Sequence, residues 1–186
     1  MTMPVRCNSE DIADVLLDLV GCGACPGREG ERGAASVPIM ADWEIRPASA
    51  SDVEAVAELR AVVLRADLER LGRYDAQRVR QRLRDGFEPA HTWLIEVGGA
   101  FAGCVALRPD GDAHWLEHFY LDPRLQGGGI GSGVLRGLLE RCDRAGVVVR
   151  LNVLQGSQAR RLYERHGFTV ETEDRVDVFM VRVPRG

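Results

Sequence analysis

Lysine is absent. All 24 cationic residues are arginine, set against 28 carboxylates for a net charge of −4. Without lysine there is no amine for Schiff-base catalysis and no phosphate-gripping lysine of a Walker A loop. Long hydrophobic runs are missing too, since no apolar stretch approaches the roughly 18 residues that span a bilayer. The segment Ile12 to Val20 is broken by Asp14 and Asp18 and lacks a small-residue cleavage site, so a secretory signal is not expected. Cysteine is sparse and scattered, as Cys7, Cys22, Cys25, Cys104 and Cys142, and an odd count of that kind is no disulfide framework. Cys22 and Cys25 form one C-x-x-C, two of the four ligands zinc needs; Cys7 is a third in principle, but no second pair follows. Reduced, inert thiols and no metal are expected. From Asp42 onward 22 acidic residues face 21 arginines. That balance gives no broad basic footprint, so neither nucleic acid nor membrane is an expected partner.

What is present reads as one globular domain with an appendage. The chain has 186 residues, 45% hydrophobic and 28% charged, enough to bury a core without metal or disulfide staples, and a soluble, cytoplasmic protein is expected. Residues 1–41 hold one short helical candidate, Ser9 to Val20, followed by a Gly, Arg and Glu stretch with little to bury. They read as a flexible or weakly docked N-terminal extension to a domain over 42–186. Met40 stands directly before the first convincing element, and a natural start there is one expectation. From Trp43 the punctuation is regular. Trp43–Arg46 predicts a strand, and Ser51 with Glu54 a capping box opening a helix to about Glu69. Asp75 caps a second helix to about Asp85, where Arg78, Arg80, Arg82 and Arg84 read as its solvated face. Thr92–Val97 and Phe101–Leu107 around Gly98-Gly99 predict a hairpin. Ala113–Leu121 is a strand stopped by Asp122-Pro123, and Val147–Val153 a buried strand. Between them the helical spacing of Ile130, Val134, Leu135, Leu138 and Leu139 ends at Gly146. A short helix over Ser157–His166 and closing strands at Phe168–Val170 and Val176–Val183 complete the order. That order is strand, two helices, three strands, helix, strand, helix, two strands. It predicts the α/β class in its mixed-sheet (α+β) form, with helices on both faces.

The densest signal lies between a strand and a helix, where Gly127, Gly128, Gly129, Gly131 and Gly133 put five glycines into seven positions. Glycine lets backbone N–H groups converge, and the helix N-terminus adds partial positive charge. This is a pyrophosphate site built without lysine. The dinucleotide pattern G-x-G-x-x-G fails in every register, since Gly129-x-Gly131 would need glycine where Val134 stands. A nicotinamide oxidoreductase is therefore disfavoured.

Gln126-x-x-Gly129-x-Gly131 resembles the Q/R-x-x-G-x-G/A motif of the GNAT superfamily of acetyl-CoA-dependent N-acetyltransferases. Its context agrees, with the strand Trp115–Leu121 before it and, about thirty residues on, Ala159-x-x-x-Tyr163 followed by Gly167-Phe168. The resemblance covers about residues 43 to 183. It implies a central sheet whose strands Ala113–Leu121 and Val147–Val153 splay apart to admit the pantetheine arm. Phe119, Tyr120 and Leu121 would offer main-chain contacts to that arm. The N–H groups of Gln126, Gly127, Gly128, Gly129, Ile130, Gly131 and Ser132 would hold the pyrophosphate. Arg124 and Arg160 are candidates for the outer phosphates. Ser157 stands where the family commonly has asparagine, and Asn152 is an alternative partner for the pantetheine or a satisfied core amide. The resemblance implies direct acetyl transfer to the primary amine of a small molecule or a peptide, with Tyr163 as general acid. Glu117, expected on one strand face with Phe119 and Leu121, is the candidate base, against a water chain or an amine that arrives neutral. A non-catalytic acetyl-CoA sensor of the same fold is the alternative, and Tyr163 favours catalysis. The acceptor would be shaped by Asp52 to Asp85 and the last strands, whose mixed charges show no clear polarity. Homodimers are common in the family.

Overall fold

The computed structural model describes residues 43–185; the extension, the helix expected over Ser9–Val20 and Cys7, Cys22 and Cys25 lie outside them. A seven-stranded mixed sheet runs in the order β1-β2-β3-β4-β5-β7-β6. Its strands are β1 (Trp43–Pro47), β2 (Thr92–Val97), β3 (Ala100–Asp110), β4 (Ala113–Leu121), β5 (Val148–Leu154), β6 (Thr169–Glu173) and β7 (Asp177–Arg182). All neighbours are antiparallel except β4 and β5. Helices α1 (Val53–Val63), α2 (Arg65–Arg70) and α3 (Ala76–Gly86) precede the hairpin, α4 (Ile130–Ala145) joins β4 to β5, and α5 (Ala159–Arg165) follows β5. The expected element order is the observed one, except that three helices rather than two precede the hairpin. No helix among the described residues is long and apolar enough to cross a membrane.

Each face of the sheet carries its own core. On one side Val134, Leu135, Leu138 and Leu139 of α4 pack with Ile95, Val105, Leu116, Val149, Leu151 and Met180. The other core is smaller, with Val56 and Ala57 of α1 and Leu83 of α3 over Leu94, Cys104 and Tyr120. Alternation along the strands produces this division, since Cys104 and Val105 point to opposite sides.

Two local expectations shift. The capping box opens two residues earlier, on a 3₁₀ turn over Ala50–Asp52, where Asp52 accepts from the Ser49 N–H at 2.7 Å. Asp52 is chosen because Arg46 grips it from β1 at 3.0 and 3.1 Å, and Glu54 instead takes Arg84 of α3. The long first helix is also interrupted at Leu64, giving α1 and α2. Asp75 caps α3 as expected, accepting from the N–H groups of Gln77 and Arg78. Gly146 closes α4 in the left-handed conformation.

Candidate functional site

β4 and β5 run side by side but pair at three positions only, Ala113 with Val148, His114 with Val149 and Trp115 with Arg150. Beyond them β4 is bonded to β3 alone and β5 to β7 alone. The facing edges part, leaving main-chain donors and acceptors that a polar ligand can pair with. A cavity of about 1310 Å³ runs through this opening, from the glycine loop at one end to α1 and α3 at the other.

The loop is held from below. Asp122 accepts from the Arg124 N–H at 2.9 Å to close a 3₁₀ turn over Pro123–Leu125, and Gln126 Nε2 donates to the Leu121 carbonyl at 2.9 Å. Gly127 and Gly129 have φ of 82° and 88°, a left-handed region costly to any residue with a Cβ. The first bond of α4 runs from the Gly133 N–H to the Gly129 carbonyl at 2.9 Å, and no side chain caps the helix. The N–H groups of Ile130, Gly131 and Ser132 therefore precede the intrahelical ladder at the positive end of a 16-residue helix. Chemically this is an anion site.

Gln126, Gly127, Gly129, Gly131 and Ser132 line the cavity, whereas Gly128 and Ile130 do not; the Ile130 side chain is buried in the core under α4. The two candidate arginines are engaged elsewhere. Arg124 closes on Asp122, whose carboxyl it holds down at about 2, and Arg160 donates to Glu164 one turn along α5 at 2.8 Å. Each found a carboxylate in its own chain neighbourhood, and neither lines the cavity.

β4 carries a bulge. Cys104 and Ala106 of β3, two residues apart, pair with Tyr120 and Glu117, three apart. The extra residue turns at His118, whose φ of 52° is the only positive value outside glycine among the described residues. Alternation is reset across it. Leu116, Phe119 and Leu121 all face the α4 core, while Tyr120 faces α1. Glu117 therefore does not share a face with Phe119 and Leu121, correcting the expectation from simple alternation; it lies on the side of α1 and α3, with Arg108 Nε donating to it at 3.0 Å. All five residues from Glu117 to Leu121 line the cavity.

The bulge also builds a network that no local sequence motif marks. Arg60 of α1 donates to the Tyr120 hydroxyl at 2.8 Å, and that hydroxyl lies 3.4 Å from His118 Nδ1. Burial pushes the Tyr120 phenol above its ordinary range and His118 below its own. In both groups burial favours the uncharged form.

Tyr163 of α5 reaches the cavity from the opposite face. Its ring is buried, edge-on to Phe168 at 5.7 Å, and burial raises its phenol above the ordinary value, so it holds its proton at neutral pH. Ser157 lines the cavity before α5, its hydroxyl 3.4 Å from the Ala159 N–H. Asn152 is exposed towards the cavity, on the opposite face of β5 from Leu151 and Val153, and donates to Asp177 at 3.0 Å. It is not a core amide.

The model of the acetyltransferase (GNAT) family matches residues 54–168, more than half of the chain. The chain belongs to the GNAT family of acetyltransferases. Solved structures agree with this GNAT fold. The PaiA N-acetyltransferase of Thermoplasma acidophilum, in complex with coenzyme A, is similar at a TM-score of 0.63 and 19% identity, over 76% of this chain and 99% of that one. The ribosomal-protein-S18-alanine N-acetyltransferase of Escherichia coli gives 0.61 and 18%, over 78% and 96%. At such identities the likeness is one of fold. No curated protein matches this GNAT chain.

Proposed function

We propose that this GNAT protein transfers an acetyl group from acetyl-CoA to a primary amine by direct attack within a ternary complex. The observation that carries the reading is the parting of β4 from β5 after three paired positions, with the open N–H groups of the α4 N-terminus at one end of the gap. Phe119, Tyr120 and Leu121 on one side offer main-chain partners to the amides of a pantetheine arm. Gln126, Gly127, Gly129, Gly131 and Ser132 receive the diphosphate, and Asn152 of β5 and Ser157, just before α5, flank the arm.

In this reading a neutral amine attacks the thioester carbonyl. The bond between carbonyl carbon and nitrogen forms, and charge moves to the carbonyl oxygen, where an N–H near Leu121 stabilises it. The carbon–sulfur bond then breaks with its electron pair on sulfur. Tyr163 supplies the proton that the thiolate needs, and the resulting phenolate takes back the surplus proton on the newly acylated nitrogen, leaving a neutral amide and a free thiol. An alkylammonium of ordinary pKa near 10 must first lose a proton. Glu117, on the acceptor side of the cavity, is the group assigned to take it. The coenzyme A complexes among similar structures support the choice of an acyl-CoA donor.

Tyr163→Phe tests the assignment. Losing a general acid lowers kcat by about 10²- to 10⁴-fold, while the packed ring and acetyl-CoA affinity persist, as read by coenzyme A release and by calorimetry. Turnover equal to wild type removes Tyr163 from the mechanism. Absence of any acetyl-CoA binding removes the mechanism altogether.

A further inference from the structure

The acceptor end of the cavity has a polarity that the mixed charges of the sequence conceal. Arg60 lines it with a half-buried guanidinium whose Nε is buried and has no hydrogen-bond partner. Its polar contacts are the Tyr120 hydroxyl at 2.8 Å and His118 Nδ1 at 3.5 Å, neither of them a carboxylate. No carboxylate among the described residues forms an ion pair with it. A cation removed from water without a counter-charge is costly, and a ligand that supplies the anion recovers that cost.

Helix α3 repeats the pattern. Its arginines divide by face: Arg80 and Arg84 make paired bonds of 2.6 to 2.8 Å to Glu58 and Glu54 of α1. Arg78 and Arg82, one turn apart, line the cavity instead and form no ion pair among the described residues. Both are exposed, as expected of a solvated face, and that face borders the cavity. The carboxylates of the same cavity divide between ion pairs and neutral N–H donors. Asp67 takes Arg70, Asp75 caps α3, Glu117 takes Arg108, Asp174 holds the N–H groups of Val176 and Asp177, and Asp177 receives Asn152. Among the described residues the lining without an ion pair comprises five arginines, Arg60, Arg73, Arg78, Arg82 and Arg165, against three carboxylates, Asp75, Asp174 and Asp177, so the spare charge is positive. Such a wall repels an acceptor that is only cationic, and planar guanidinium forks match an oxyanion.

We propose that the acceptor is an amine that also carries an oxyanion, a carboxylate or a phosphate, received by Arg60, Arg78 and Arg82 while the amine reaches the splay between β4 and β5. The inference rests on the acetyltransferase reading and narrows its substrate class.

The test uses the full chain, saturating acetyl-CoA and matched acceptors: an amino acid with its carboxamide, and an aminoalkyl phosphate with its amino alcohol. Coenzyme A release is expected to give kcat/KM at least tenfold higher for the anionic member of one pair or both, and which pair responds distinguishes carboxylate from phosphate. The doubly substituted Arg78→Ala, Arg82→Ala protein and, separately, Arg60→Gln should lower that anionic-to-neutral ratio at least fivefold. The double variant changes exposed residues only, so it reports even if Arg60→Gln fails to fold. Neutral members used as well as anionic ones, or a ratio unmoved in the double variant, overturns the proposal. So does acetyl-CoA binding, seen by calorimetry, without turnover of any anionic amine. Failure to bind acetyl-CoA at all is instead the failure of the acetyltransferase reading.

Discussion

The far end of α4 is fixed by an ion pair whose two halves differ in burial, so removing either half has a different cost. Arg182 of β7 is 4% exposed and donates through both terminal nitrogens to the Asp143 carboxylate at 2.7 Å, with its Nε on the His166 carbonyl at 3.0 Å. Asp143 is 18% exposed and also accepts the Arg185 N–H at 2.9 Å. Asp143→Ala strands a buried guanidinium, for which the cost is about 3–5 kcal/mol. Arg182→Met leaves a carboxylate near water with one donor still in place, and the loss falls to about 1–3 kcal/mol. The double variant should be more stable than Asp143→Ala alone, because the stranded charge is gone. Acidity adds a second check. Arg182 holds the Asp143 carboxyl below its usual value, so the pair's contribution is complete above the unfolded value of about 3.9 and is lost as pH falls through the depressed folded value. Urea unfolding at pH 7 and at pH 3 is the assay, and the gap between wild type and Asp143→Ala should narrow at the lower pH. An Asp143→Ala cost no larger than that of Arg182→Met, or a gap independent of pH, refutes the reasoning.

Two further outcomes are expected. A Cβ on Gly103 would run into the Tyr120 carbonyl and lie 3.2 Å from both Leu121 Cα and Ile95 Cδ1; backbone cannot swing aside, so Gly103→Ala should cost about 1–3 kcal/mol in urea unfolding and weaken acetyl-CoA binding by displacing the splayed end of β4. His114 is buried with neither ring nitrogen hydrogen-bonded, and burial lowers its pKa. Its neutral form is favoured in the fold, so stability is intact above the unfolded value of about 6.5 and falls as pH drops below it. His114→Leu should flatten the Tm profile between pH 7.5 and 5, and an unchanged slope would contradict this.

The frame was legible because its signals are local. Asp122-Pro123 stops β4, the spacing from Ile130 to Leu139 makes α4, and Gly146 ends it. The glycine loop was legible for the same reason, as its composition and position between strand and helix carry its chemistry. The bulge was not, because His118-Phe119-Tyr120 alternates as any strand does and the register change is settled by pairing with β3. Glu117 was consequently expected on the wrong face. Nor do the letters distinguish one arginine from another. Arg124 and Arg160 fold back on carboxylates two and four residues away, while Arg60, distant from the glycine loop in sequence, reaches Tyr120 across the tertiary fold. The early capping box has the same origin, since Asp52 is selected by Arg46 on another element.

Amide hydrogen exchange with and without acetyl-CoA addresses the ligand slot most directly. The account predicts slowed exchange concentrated at Phe119–Leu121 and Gly127–Ser132 on addition of acetyl-CoA. Exchange unchanged at both segments, or protection confined to other strands, would contradict a cofactor seated in the gap between β4 and β5.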